Sequence, residues 1–198
     1  DFEINAVSLR RVNAQAACAW NVRRKLVVYN GTLPAKVKLL CTVYTIASRA
    51  ARAVAQYQTW GRRCDTFIVY TSEDAPAFDP LRNKPNARIE LVNVPGGESY
   101  GNIWKKMMQI RLQLWRWKEV DSYDYITFGG DDYYLFVENL RLYVTMPAMA
   151  EAHKANKPLY FGYSLLDLTN YGFGRFLQGG VYALNRKALD VAVHSECE

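Results

Sequence analysis

Two adjacent carboxylates, Asp131 and Asp132, stand directly behind Gly129 and Gly130 in this chain. The run before them, Tyr123-Asp124-Tyr125-Ile126-Thr127-Phe128, is aromatic and apolar and reads as a buried strand opening into a turn. Such a turn delivers negative charge to the carboxyl edge of a sheet, where open α/β sheets bind ligands. Paired hard oxygens at that edge suit Mg2+ or Mn2+, the ions that accompany diphosphates. The predicted chemistry is the handling of a nucleotide diphosphate, in the form of a nucleotide-sugar. Taken alone, the same four residues are also a solvated hairpin turn. The elements around them decide between the two.

Those elements begin at Val37. Val37 to Thr45 is β-branched and apolar, bounded by Pro34 and Ser48, and predicts the first core strand. Ser48 then caps a helix to about Trp60, with Ala51, Val54, Ala55 and Gln58 at helical spacing, and Gly61 ends it. Cys64 to Thr71 is the second strand. Ser72 to Ala87, with Pro76, Pro80 and Pro85, reads as a loop. Arg88 to Val94 is the third strand, closed by Pro95-Gly96-Gly97. A helix from Glu98 or Ser99 to Val120 places Ile103, Met107, Ile110, Leu114 and Trp117 on one face. Trp104, Met108, Arg111 and Trp115 repeat those steps one residue later, and most of these side chains are assigned to the core.

Val137 to about Ala155 is helical in two pieces broken at Pro147. Leu159 to Tyr163 and Gln178 to Leu184 are short strands, and Asn185 caps a last helix through Ala188, Leu189 and Val191. Residues 1 to 36 are irregular and read as a stem or an extra strand, ahead of a single domain over residues 37 to 198. Strands alternating with helices predict an α/β fold around a mixed, mostly parallel sheet.

On this arrangement Thr45 ends the first strand, and Ser72 and Glu73 follow the second. All of them reach a nucleotide if the sheet is parallel there; ordinary strand-end capping is the alternative. Gly179 and Gly180 let backbone approach a sugar closely, or mark a strand bulge. Tyr163, Tyr171, Phe173 and Phe176 fall in the loop before the last strand, where their rings stack on an acceptor sugar or close the core.

The 198 residues, half of them hydrophobic, suffice for one substantial core. With 14 tyrosines, 5 tryptophans and 8 phenylalanines, stacking surface for sugars or bases is plentiful. The formal charge of +6 fits a mildly basic domain, or attraction toward anionic nucleotides or an anionic membrane or polymer. Arg10-Arg11, Arg23-Arg24-Lys25 and Arg62-Arg63 are scattered and lack the aromatic interleaving of a nucleic-acid binder, so no nucleic-acid partner is expected. No apolar run approaches the ~20 residues that span a bilayer. The four cysteines, Cys18, Cys41, Cys64 and Cys197, lack the close pairing of a zinc site. Cys41 on one strand and Cys64 just before the next can be bridged. With the glycosylation sequon at Asn30, a disulfide tilts the compartment toward the secretory lumen.

The order of motifs resembles glycosyltransferase family 31, the β1,3-glycosyltransferases, and within it the core 1 β3-galactosyltransferases and the Fringe enzymes. The resemblance rests on Thr59-Trp60 with Arg63-Cys64, Ile103-Trp104-Lys105, Asp131-Asp132 with Tyr134, and Leu159-Tyr160-Phe161-Gly162. It continues with Gly179-Gly180 followed by Tyr182, Leu184, Ala188 and Leu189. It implies a GT-A fold, a UDP-sugar donor, a glycan or glycoprotein acceptor, and inversion at the anomeric carbon. It also implies Mn2+ (or Mg2+) and a type II membrane protein of the Golgi, anchored upstream of Asp1. The Cys41–Cys64 bridge is suggested by the resemblance as well.

The family's metal motif is three aspartates, of which the last contacts the ion; here Gly130 takes the first place. Asp132 is then the metal ligand, and Asp131 accepts hydrogen bonds from the ribose or donor sugar. Trp104 and Lys105 match a pair near the donor, with Lys105 reaching a phosphate or lying on a solvated face, and Trp104 stacking on ligand or packing in the core. The family's catalytic Glu-Asp pair and a third metal ligand, a histidine, are expected beyond Glu198, which reads as a C-terminal truncation. Neither His153 nor His194 has the context to replace that histidine. The competing expectations are an inactive transferase-like fold that binds sugar or partner, and a subunit of a larger assembly, an oligomer included.

Overall fold

The structure, a computed structural model, describes Thr32, residues 36–166 and residues 175–194, with side chains except at 163–166 and 175–179. The first strand, β1 (Leu39–Tyr44), is Leu-Leu-Cys-Thr-Val-Tyr, buried at every position but the last. β2 (Thr66–Thr71) and β4 (Tyr125–Gly129) are buried throughout, with β3 (Ala87–Leu91) between them in the chain. Continuous apolar runs of this kind suit strands covered on both faces. Successive side chains point to opposite faces. Leu39, Cys41 and Val43 therefore join one half of the core, and Leu40 the other.

The sheet has six strands in the order β3-β2-β1-β4-β6-β5, where β5 is Tyr160–Leu166 and β6 is Arg175–Leu184. β3, β2, β1 and β4 run parallel, β6 is antiparallel to β4, and β5 is antiparallel to β6. One face is covered by α1 (Ala50–Thr59), which supplies Ala53, Val54 and Tyr57, and by α4 (Val137–Val144). The other face carries α3 (Ile103–Arg116) through Met107, Ile110 and Leu114, and α6 (Arg186–His194) through Ala188 and Leu189. The mixed, mostly parallel α/β architecture is the one the alternation of elements predicts.

Several boundaries differ from expectation, each for a local reason. The segment 72–87 is not all loop: Pro76 opens a turn over Pro76–Phe78, and Pro80 sits in the first turn of a short helix, α2 (Asp79–Arg82). Proline is tolerated there because first-turn amides have no partner within the helix. Phe78 and Leu81 bury their side chains and anchor the segment. The predicted helix over 98–120 is shorter. Gly96 and Gly97 take left-handed conformations (φ 86 and 79) and Ser99 is extended, so a turn at Tyr100–Asn102 precedes α3. At its other end Trp117 is extended and lies beneath Arg88, 5.1 Å from the guanidinium. Ser48 makes no cap; a turn over Ala47–Arg49 precedes α1 instead.

The break at Pro147 is present, with α5 running Pro147–Lys154. Asn185 caps α6 as expected, its Oδ1 accepting the Ala188 amide at 2.9 Å. Tyr163 lies on β5, within the strand expected over Leu159 to Tyr163, and Phe176 lies on β6 rather than in a loop, because β6 pairs from further back than its sequence suggests. Tyr171 and Phe173 lie outside the described residues, as do Asn30, Cys18 and Cys197. Cys41 and Cys64 form a disulfide, Cα–Cα 6.1 Å, buried between β1 and the entrance to β2. Among the described residues no helix is long and apolar enough to cross a membrane.

Candidate functional site

From β1 the chain steps outward through β2 to β3, then returns to lay β4 on the opposite side of β1. The carboxyl ends of β1 and β4 thus flank the point where strand order reverses, and a crevice opens there. Leaving β1, Thr45 keeps a ladder bond, its amide donating to the Tyr70 carbonyl at 2.9 Å. Its hydroxyl donates to Asp131 Oδ2 at 2.6 Å. The two strand ends are stitched together by that bond.

Asp131 is buried, and its other oxygen faces Arg52 at 3.6 Å and Arg49 at 3.9 Å, both half-exposed on the α1 side. Asp132, its neighbour, is exposed. The turn that carries both is pinned from α1: Gln56 Nε2 donates to the Gly130 carbonyl at 3.3 Å and the Tyr133 carbonyl at 2.8 Å. Gly130 leaves room for this corner, since a Cβ there would sit 3.1 Å from Asp132 Oδ1 and 3.5 Å from the Tyr44 ring. The Tyr44 phenol is held above its ordinary value, first by burial and then by the charge of Asp132. It stays protonated and can donate a hydrogen bond.

These groups line a cavity of about 780 Å3. Its floor is Tyr44, Thr45, Gly130, Asp131 and Asp132, with Gly180 of β6 beside them. Arg49 forms one wall, and Glu98, Ser99, Tyr100, Ile103, Trp104 and Lys106 form the other. Tyr100 is 93% exposed and Trp104 63%, so both present ring surface at the mouth. An aromatic rim over a floor of carboxylates, with cations in the walls, can hold a ligand with both a ring and a charged end.

Of the residues singled out from sequence, Thr45, Trp104, Asp131, Asp132 and Gly180 come together around this cavity. Ser72 and Glu73 lie at the end of β2 and do not line it; the Glu73 carbonyl instead accepts the Thr71 hydroxyl at 2.8 Å. Gly179 is in β6 next to Gly180. Trp104 and Met108 are not core, and the latter is 38% exposed. Lys105 lies outside the cavity, its ammonium 5.6 Å from the Trp104 ring centre. Lys106 is the lysine in the wall. Sequence reasoning missed it together with Glu98, Arg49, Tyr44 and Tyr100. A signal existed for Lys106, which stands four residues before Ile110 on the apolar face of α3.

The donor set suits an ion that a ligand completes. Mg2+ and Mn2+ sites commonly use one or two carboxylates, with substrate phosphates and water filling the rest. Asp132 can serve this way, whereas Asp131 is already engaged by Thr45 and the arginines. Among the described residues, no group of three or more His, Cys, Asp or Glu side chains converges to hold a metal without such help.

The fold and cleft define a mixed α/β protein of Rossmann-like architecture, with its ligand crevice at the switch point of a mostly parallel sheet. No family model matches the chain. Among solved structures it is similar to the bifunctional glycosyltransferase WbbM in its apo form, at 12% identity and a TM-score of 0.39. The match covers 81% of this chain and 34% of that one, so the chain spans about a third of that protein's length. A likeness at this level assigns no activity.

Proposed function

We propose that the chain is a glycosyltransferase that takes a UDP-sugar in this cleft and moves a hexose, galactose or a related sugar, to a glycan or glycoprotein acceptor in β1,3 linkage. The observation that carries the reading is the placement of Asp131 and Asp132 on the floor of an aromatic-rimmed cavity at the sheet's switch point. Asp132 would be the chain's ligand to Mn2+ (or Mg2+), the rest of the shell being left to the donor and water. When bound, the ion neutralises charge on the departing diphosphate as the sugar–oxygen bond breaks. Asp131, fixed by Thr45, presents its edge to ribose or donor sugar, and Gly180 permits close approach of backbone from β6. Trp104 offers a ring to the sugar, and Arg49 adds positive charge. Ser72 and Glu73, one strand further out, do not line the cavity and are given no donor contact in this reading. The buried Cys41–Cys64 bridge supports an oxidising lumen such as the Golgi.

The test is UDP binding titrated with and without Mn2+. Asp132→Ala abolishes the metal-dependent part; unchanged binding removes the assignment. A second reading, binding without turnover, is favoured by Gly130, which stands where the family resemblance expects a carboxylate. Release of UDP from UDP-galactose in the presence of acceptor separates the two.

A further inference from the structure

Lys106 is 1% exposed, yet it carries a charge into the wall of the cavity. Its ammonium donates to the Thr45 carbonyl at 2.6 Å and to the carboxylate of Glu98. Glu98 follows the left-handed pair Gly96 and Gly97. That turn is itself clamped, because Asn102 Nδ2 donates to the Gly96 carbonyl at 3.1 Å and the Gly97 carbonyl at 2.9 Å. The ion pair therefore has a fixed seat. Thr45 is gripped on three sides: its amide by β2, its carbonyl by Lys106, and its hydroxyl by Asp131.

Burying the lysine of an ion pair whose glutamate reaches the surface is a poor way to gain stability, since apolar side chains of similar volume commonly fill such space as well or better. Lys106 also sits among Met107, Ile110 and Leu114 on the buried face of α3, where packing alone favours an apolar residue. What a lysine adds is direction. Its hydrogen bonds fix the carbonyl of the residue that orients the buried carboxylate, and a network satisfied at every member holds its geometry.

We infer that Lys106 and Glu98 are a positioning pair for the carboxylate site, holding Thr45 so that its hydroxyl sets Asp131 beside Asp132. The pair acts through Thr45 and need not touch the ligand. Its effect on ligand binding rests on the UDP-sugar reading above; its hold on Thr45 does not.

The experiment compares Lys106→Met, Glu98→Ala and Glu98→Gln with the unaltered chain. It measures UDP affinity in the presence of Mn2+ and, without ligand, amide hydrogen exchange at Thr45 and Ile46. Lys106→Met and Glu98→Ala weaken Mn2+-dependent UDP binding by roughly 10-fold or more, as loss of a ligand's supporting partner does at metal sites. Both variants also speed exchange at Thr45. Glu98→Gln keeps an acceptor oxygen and restores both properties. In an Asp131→Ala background the binding loss from Lys106→Met disappears, because the group it positions is gone.

A lowered melting temperature with unchanged exchange at Thr45 overturns the inference, and so does a loss of binding that simply adds to that of Asp131→Ala. Should the unaltered chain bind no UDP, the donor reading fails while the exchange measurement still decides the hold on Thr45. If Lys106→Met does not fold, the two Glu98 variants decide the question by the same readouts.

Discussion

Asp131 and Asp132 are neighbours in the chain and opposites in physics. Asp131 is buried, accepts the Thr45 hydroxyl at 2.6 Å and faces two arginines. Asp132 is exposed on the same cavity floor. Asp131 is built into the architecture and offers only an edge to the cavity, whereas Asp132 is open to it. Their alanine variants should part accordingly in urea unfolding. Asp131→Ala removes the acceptor of the buried Thr45 hydroxyl and costs about 1–3 kcal/mol, the two arginines staying solvated. Asp132→Ala, at an exposed position, stays within about 0.5 kcal/mol of the parent. Equal losses would mean that the two side chains share one environment, and the division of labour proposed for them would fail. The same contrast explains why sequence alone could name the pair but not rank its members: burial of Asp131 depends on Thr45 and α1, which arrive from 80 or so residues upstream.

Strands with two buried faces are legible as unbroken apolar runs, which is why β1, β2 and β4 fall close to their predicted places. Helix starts are not, because they depend on backbone conformation. The left-handed glycines at 96 and 97 and the extended Ser99 delay α3, whose buried face, with Ile110 and Leu114, carries Lys106 rather than Lys105. Strand order is equally hidden, since the pairing of β4 with β6 joins segments far apart in the chain. That pairing leaves a mark on one residue. Gly129 lies opposite Val181, and a Cβ there would stand 2.7 Å from the Gly180 carbonyl and overlap the Tyr133 ring. Backbone on one side and a ring packed against the core on the other leave no easy relief. Gly129→Ala should therefore cost about 1–3 kcal/mol in overpacking, read as a lower urea midpoint. Because the glycine immediately precedes the carboxylate turn, Mn2+-dependent UDP binding should fall with it. A variant of undiminished stability would show that β4 and β6 are not seated as closely as described.

The abundance of tyrosine gives the molecule as a whole a pH dependence of definite sign. Burial is the leading cause that raises the phenols of Tyr44, Tyr70, Tyr133, Tyr160 and Tyr182 above their ordinary value, and it pushes Tyr125 up to about 12. The unfolded chain ionises these groups near the ordinary value of 10.0, whereas the folded chain keeps them neutral to higher pH. Their stabilising contribution is therefore complete below that point. It is lost as pH climbs through the folded values, because the unfolded state releases its protons first. Several such groups sit on both sides of one sheet, Tyr125 and Tyr133 on one and Tyr70 and Tyr182 on the other, so alkali attacks the two halves of the core together. Phenolate absorbance and circular dichroism, followed on one alkaline titration, should show the buried tyrosines ionising in the same step that unfolds the sheet. Urea midpoints measured at neutral pH should be insensitive to small pH changes on this account. Tyrosines titrating one by one near their ordinary value, with the dichroism intact, would mean that the rings lining the sheet are open to water and that the aromatic rim of the cleft has no firm backing.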